Sequence, residues 1–278
     1  GTAGGEVLLH STGAGAITLL GNITANGGNT TGGNNNGGAA GVVTILNANG
    51  LILIDDITAT GGSGFGAGVA GANGTVQLSA TTTIDQQNGT AITAGNLKLI
   101  STGGDITLNN TGNNVAIVAA ALSGASSLSY VDANALYIGT VALAGTGAAS
   151  LAQVIGIVAT GADETVSVTS LTLTLTVDDV VTTNSGDVTL LATAGAIVVD
   201  ADITTTDGKA TLTAGTTIDS TANGNITTTG QNSAAQGTAG GEVLLHSTGA
   251  GAITLLGNIT ANGGNTTGGN NNGGAAGV

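Results

Sequence analysis

A short pattern of alternating apolar and polar residues recurs along this chain, and it leaves few folds open. VLLHSTGAGAITLLGNITANGG from Val7 aligns with VTILNANGLILIDDITATGG from Val43, and VTLLATAGAIVVDADITTTDG from Val188 aligns with ATLTAGTTIDSTANGNITTTG from Ala210. The shared form is an alternating strand, a Gly or Asn corner, a second strand, a second corner, and then I-T-x-T/N-G. Further copies begin near Val76, Leu97, Leu128 and Val166, with Leu151 as a candidate for one more. Alternation is the strand signal: Val188 and Leu190 point one way and Thr189 the other, while Ile203 and Thr205 share one face and Thr204 and Thr206 the opposite one. Three strands joined by tight corners make one triangular coil, which cannot bury its apolar side alone but can do so when stacked. The pattern therefore predicts an all-β chain, a right-handed parallel β-helix (β-solenoid) with three short strands per coil. The unit holds about eight or nine coils, rising roughly 38–43 Å at about 4.8 Å per coil.

A second repeat lies above the first. Residues 1–42 and 237–278 are identical letter for letter, so that Gly237 stands where Gly1 stood. This reads as a slice through a tandem array, residues 1–236 being one unit and 237–278 the start of the next in the same continuous solenoid, with an artificial duplication as the alternative. Neither end carries the polar cap that a repeat array needs where it stops, so the native molecule is expected to continue in both directions.

Composition fits and excludes. The chain has no proline, which suits a fold in which nearly every backbone N–H serves the next coil, and no tryptophan, which suits a narrow aliphatic core. Two basic residues, Lys98 and Lys209, stand against 16 acids, for a net charge of −14. That balance excludes phosphate neutralisation and hence nucleic-acid binding. No cysteine is present, so disulfides and thiol chemistry are out. No apolar run is long enough to cross a membrane as a helix, and no basic segment opens the chain as a secretion signal would.

Three segments carry a resemblance. GNLKLISTGGDITLNN (95–110), GDVTLLATAGAIVVDADITTTDG (186–208) and GKATLTAGTTIDSTANGNITTTG (208–230) are similar to coils of filamentous-haemagglutinin-like proteins, the large two-partner-secreted exoproteins and giant adhesins of bacteria. The resemblance implies a right-handed β-helix, export to the bacterial cell surface, and a role in fibres, adhesion or aggregation. The secretion domain that such proteins carry at the N-terminus is absent from this chain.

Candidate functional residues fall in three groups. Gly-rich insertions at 27–41, 61–74 and 230–241 all follow the I-T-x-T/N strand, belong to consecutive coils once the tandem array is closed, and are expected to stack there into one ledge for lateral contact between fibres. The residues singled out there are Gly27, Asn29, Asn34, Asn35, Asn36, Gly61, Gly64, Phe65, Gly66 and Asn232. The alternative is a set of plain surface loops; no phosphate-binding signature follows them. Outward threonines at Thr58, Thr60, Thr204, Thr206, Thr227 and Thr229 would form columns of the kind found on ice-binding solenoids, or reflect ordinary β-propensity. Acids at Asp55, Asp56, Asp85, Asp178, Asp179, Asp200, Asp202 and Asp219 lie near one corner. There they either serve turn chemistry or hold structural Ca2+. No other cofactor is expected. His10 and its copy His246 are placed outward without a catalytic constellation, and sequons at Asn22, Asn29 and Asn225 follow from composition. No enzyme is expected. The leading function is a structural segment of an extracellular bacterial fibre. Its partners would be adjacent units and other fibres, with an adhesin stalk that meets a glycan or cell surface as the alternative.

Overall fold

A computed structural model describes residues 1–147, 150–268 and 272–278; three positions of the second copy, 269–271, lie outside the described residues. Among those described there is no α-helix, and the chain is a parallel β-helix of stacked three-sided coils. No described helix is long and apolar enough to cross a membrane.

Three ladders run along the rod. The first contains Val7–Ser11, Val42–Asn47, Thr75–Ala80, the later part of Ile92–Ser101, the later part of Asn114–Leu122, Ile157–Ala162, Val181–Asn184, Ile203–Thr206, Ile226–Thr229 and Ile259–Thr260. The second runs from Ile17–Thr18 through Ile52–Ile54, Ile84–Gln86, Ile106–Leu108, Leu128–Asp132, Val166–Ser170, Val188–Ala192 and Ala210–Ala214 to Val243–Ser247. The third begins with Ile23–Thr24 and Ile57–Thr58, and ends with Leu136–Ile138, Leu175–Val177, Ile197–Val199, Ile218–Ser220 and Ile253–Leu255.

Register stacks like on like. Val168, Leu190 and Leu212 lie directly over one another, as do Val181, Ile203 and Ile226, and all are buried. A slip of one residue would turn every aliphatic side chain outward, so this alternation holds each coil in place. Corners close by a recurring bond. Thr183 Oγ1 donates to the Gly186 carbonyl at 2.5 Å, and Thr205 Oγ1 to the Gly208 carbonyl at 2.5 Å. Ser185 and Asp207, just before those glycines, sit in the left-handed region at φ 71° and 62°.

Two features depart from the expected coil series. Leu151 seeds no coil. It belongs to an antiparallel excursion in which Thr140–Val141 pairs with Val154–Ile155 and Ala144 bridges Leu151. The extra long strand lies instead at residues 117–122, which are followed by a second long strand, Leu128–Asp132, with neither short strand between them. The sequence motif thus gains one face on the ladders at this point. Below it the long strand of each motif copy, such as Val42–Asn47, runs on the first ladder; above it the equivalent Val188–Ala192 runs on the second. The I-T-x-T strands shift with it: Ile57–Thr58 lies on the third ladder, Ile203–Thr206 and Ile226–Thr229 on the first. The single threonine column and the single acid corner read from the sequence are therefore each divided between two sides of the rod.

Candidate lateral-contact surface

The Gly-rich insertions are ordered fins. Each leaves the coil, turns and comes back, and its two arms bond to each other: Gly38 N–H donates to the Gly28 carbonyl at 2.9 Å and Gly41 N–H to Ala25 at 2.8 Å. One coil on, Gly71 N–H donates to Gly62 at 2.8 Å and Gly74 N–H to Ala59 at 2.9 Å. Successive fins bond as well, Gly27 N–H to Thr60 at 2.9 Å, Thr30 to Ser63 at 3.0 Å, Gly37 to Val69 at 2.9 Å and Ala40 to Ala72 at 2.8 Å. Along each arm the direction of donation recurs at intervals of three residues, the period of an extended polyproline-II-type chain. Only glycine fits such packing. A Cβ at Gly38 would lie 1.7 Å from the Thr2 carbonyl oxygen, and one at Gly71 1.9 Å from that of Gly38.

Asparagines hold one fin to the next. Asn29 Oδ1 accepts from Ser63 N–H at 2.7 Å, Asn34 from Ala67 at 3.1 Å, Asn36 from Val69 at 3.0 Å, and Asn232 from Asn265 at 2.6 Å. Asn35 Nδ2 donates to the Gly32 carbonyl of its own turn at 2.8 Å. These side chains serve the fin itself. At its tip stand Phe65, 48% exposed, and Val69, 63% exposed, with Gly66 turning at φ 63°. Gly27, Gly61 and Gly64 lie where arms touch, each with a backbone oxygen within 2.4 Å of an added Cβ.

The motif shift also moves the fins. Those at 27–41 and 61–74 leave the corner between the third and first ladders, whereas 230–241 leaves the corner between the first and second. Within one unit the first two and the third therefore stand on different sides of the rod. Across the joint they stack as expected of the closed array, 230–241 on the second copy of 27–41: Gly230 N–H donates to Asn262 at 2.8 Å and Ser233 to Asn265 at 3.1 Å. The arms of that copy bond as in the first, Gly274 to Gly264 at 2.7 Å and Gly277 to Ala261 at 2.8 Å.

One other polar cluster lies off the core. The antiparallel excursion covers the outward side of the first ladder, Val141 and Val154 packing on Ala119 with Ile100, Ile117 and Ala121. Beneath it Lys98 is fully buried, its Nζ donating to Gln77 Oε1 at 3.0 Å and to the carbonyls of Ala142 and Leu151 at 2.9 and 3.1 Å. Burial without a counter-charge holds its pKa below the ordinary lysine value. Lys98→Met keeps the stem and removes three charge-assisted bonds, so segment 139–156 should become cleavable under limited proteolysis while the coils stay intact. A cleavage pattern unchanged from the parent would show that the bonds do not hold the flap. An outward lysine usually reads as solvated, which is why the sequence alone did not reveal the flap.

Within the core, Tyr130 O–H donates to Asp132 Oδ2 at 2.8 Å, and Asp132 also accepts from the N–H groups of Val115 and Asn134, both at 2.9 Å. Burial pushes the phenol well above the ordinary tyrosine value, and the charge of Asp132 and the bond to it add to the rise. A raised acid pKa contributes stability that is present below the unfolded value, about 10, and is lost as pH rises beyond it. Lys98 has the opposite sign, favouring the fold as pH climbs toward its unfolded value of 10.5. The difference between the parent and Tyr130→Phe isolates the phenol. The melting temperature of the parent should fall relative to the variant between about pH 9 and 11, and parallel curves would contradict a buried phenol.

The acids bond locally: Asp56 Oδ1 accepts from Ala91 N–H at 2.7 Å, Asp179 Oδ2 from Thr140 Oγ1 at 2.6 Å, and Asp202 Oδ1 from Asn225 Nδ2 at 2.8 Å. Among the described residues no group of three or more His, Asp or Glu side chains is arranged to hold a metal ion. No protein-family model, curated protein or solved structure matches this chain.

Proposed function

We propose that this chain is a segment of a long extracellular bacterial β-solenoid fibre, built from tandem units each equivalent to residues 1–236 and associating with other fibres through its glycine fins. The observation that carries the reading is the joint between copies. The second copy continues all three ladders of the first without a break: Ala210 pairs with Val243, Ile218 with Ile253 and Ile226 with Ile259. Fin contacts at the joint repeat those at the start of the chain. Gly28 N–H donates to Thr2 and Gly4 to Ala39; one unit further on, Gly264 donates to Thr238 and Gly240 to Ala275, the four distances being 2.8, 2.8, 2.8 and 2.9 Å. Units so joined would share one hydrogen-bond ladder and one dry aliphatic core, giving a stiff rod whose strength needs no disulfide.

The fins suit lateral contact because they hold no charged residue, in a chain of net charge −14. Acids share the corners from which the fins project: Asp178, Asp179, Asp200 and Asp202 lie between the third and first ladders. Asp207 lies at the base of fin 230–241, where its Oδ1 accepts from Gln231 N–H at 2.9 Å. Contact through the uncharged projecting tips keeps the carboxylates of two rods apart. Electron microscopy of the native extracellular material tests the reading. Filaments with a layer spacing of about 4.8 Å and a longer repeat of about 40 Å support it. Short rods ending in globular heads would overturn it in favour of an adhesin stalk. Association is tested separately: the double variant Gly38→Val/Gly71→Val should abolish bundling while leaving the strand circular dichroism in place, and bundles of undiminished width would remove the fins from the interface.

A further inference from the structure

The two copies of residues 1–42 are not on the same sides of the rod. In the first copy VLLHS is Val7–Ser11, on the first ladder; in the second the same five letters, Val243–Ser247, lie on the second. Likewise Ile17–Thr18 is on the second ladder but Ile253–Leu255 on the third, and Ile23–Thr24 is on the third but Ile259–Thr260 on the first. All three strands have moved on by one face.

The turns can be counted. From Val7–Ser11, the first ladder is met again at Val42–Asn47, Thr75–Ala80, Ile92–Ser101, Asn114–Leu122, Ile157–Ala162, Val181–Asn184, Ile203–Thr206 and Ile226–Thr229, eight turns, and one further face leads to Val243–Ser247. One unit is thus eight turns and one face, 8⅓ coils. The extra third comes from the two successive long strands, 117–122 and Leu128–Asp132. The joint is self-consistent: long strand stacks on long strand, Ala210–Ala214 under Val243–Ser247, as it does at Val188–Ala192 under Ala210–Ala214.

We infer that successive identical units are turned by a third of a turn about the rod, so that the glycine fin faces three sides in succession and the rod meets second copies of this chain on all three. The array in this inference rests on the tandem-fibre reading above; the displacement of the fins within one chain does not. Three units, 25 coils, bring the fin back to its starting side after about 120 Å at ~4.8 Å per coil. A contact surface repeated by a screw operation propagates instead of closing. Fins in one row would join rods into pairs or flat ribbons, whereas fins on three sides join each rod to neighbours in three directions, which is a three-dimensional bundle. The occupant of the surface is an identical fin: it is uncharged in an acidic chain, carries the exposed Phe65 and Val69 at its tip, and already packs fin on fin within the chain.

Distances between spin labels at the fin tips of the 278-residue chain test the turn directly. The absence of native cysteine makes double labelling clean. Ala67→Cys and Ala235→Cys place labels on exposed positions of fins 61–74 and 230–241. Between six and seven rungs separate these fins, roughly 30 Å along the axis at about 4.8 Å each. Arms of six or seven residues at about 3.1 Å each carry the tips roughly 20 Å out from the corners. A third of a turn then sets the labels more than about 40 Å apart, the axial rise and the outward reach combined. A distance of about 30 Å, the axial rise alone, overturns the inference even if the chain forms fibres. In the native filament, fins advancing by a third of a turn every ~40 Å support the inference, and fins in one straight row overturn it while leaving the fibre itself standing. If no filament exists, the tandem reading fails, and the label distance alone still decides the turn.

Discussion

Replacing Leu190 with aspartate should break the rod at one coil. Leu190 is fully buried, with Val168 in register on one side and Leu212 on the other. A carboxylate there has no partner in an aliphatic stack, and an uncompensated buried charge costs about 3–5 kcal/mol. In a compact globule that loss would spread through the whole core. In a solenoid each coil touches only its neighbours, so stability is a sum of local terms. The expected result by hydrogen exchange is loss of protection from Val166–Ser170 to Ala210–Ala214, with Val42–Asn47 and Thr75–Ala80 still protected. Uniform loss along the chain would mean that the rod unfolds as one unit, and an unchanged pattern would mean that the stack is not dry.

Gly208→Val should be nearly as damaging, for a different reason. A glycine one or two residues before the long strand recurs as Gly41, Gly74, Gly186, Gly208 and Gly241. At this corner the backbones of successive coils touch: an added Cβ would lie 1.7 Å from the Glu164 oxygen at Gly186, 2.0 Å from the Gly186 oxygen at Gly208, and 1.8 Å from the Gly208 oxygen at Gly241. Backbone cannot rotate away as a side chain can, so the coils must part, and overpacking of this kind costs about 1–3 kcal/mol or more. Gly13→Ala is the control, since nothing lies within 4 Å of a Cβ there. The melting temperature should fall by several degrees for Gly208→Val and hold for Gly13→Ala; equal behaviour of the two would show that the corners are not in contact.

These two sites also show how much of the structure was legible beforehand. Alternation at VTLLA and ITTT is local, so strand positions, inward residues and corners could be read from a few letters, and the all-β parallel coil follows from them. Which side of the rod a strand occupies depends on what lies one coil below, far along the chain. The long strand at 117–122 shifts every later strand by one face, yet its letters, IVAAAL, differ little from those of its neighbours. The fins were legible as insertions because glycine and asparagine cluster there. Their order was not, because it rests on pairings such as Asn34 with Ala67, whose spacing of 33 residues is set by insertion length. The flap over Lys98 escaped for a related reason: what it offers Lys98 is the backbone carbonyls of Ala142 and Leu151, which leave no mark in the letters.

The threonine–glycine bond at the corner has an evolutionary consequence. Between Thr205 and Gly208 the chain spans three positions, and the same bond closes from Thr228 Oγ1 to the Gly241 carbonyl, at 2.7 Å, across thirteen. The corner is thus a latch that shuts whether or not a fin has been inserted through it. Closure entropy grows only slowly with loop length, by about 0.6 kcal/mol per doubling. Lineages could therefore lengthen, trim or exchange material at this one joint while the coils on either side keep their register, and an engineer seeking to display a foreign segment on the rod would open the chain at the same place.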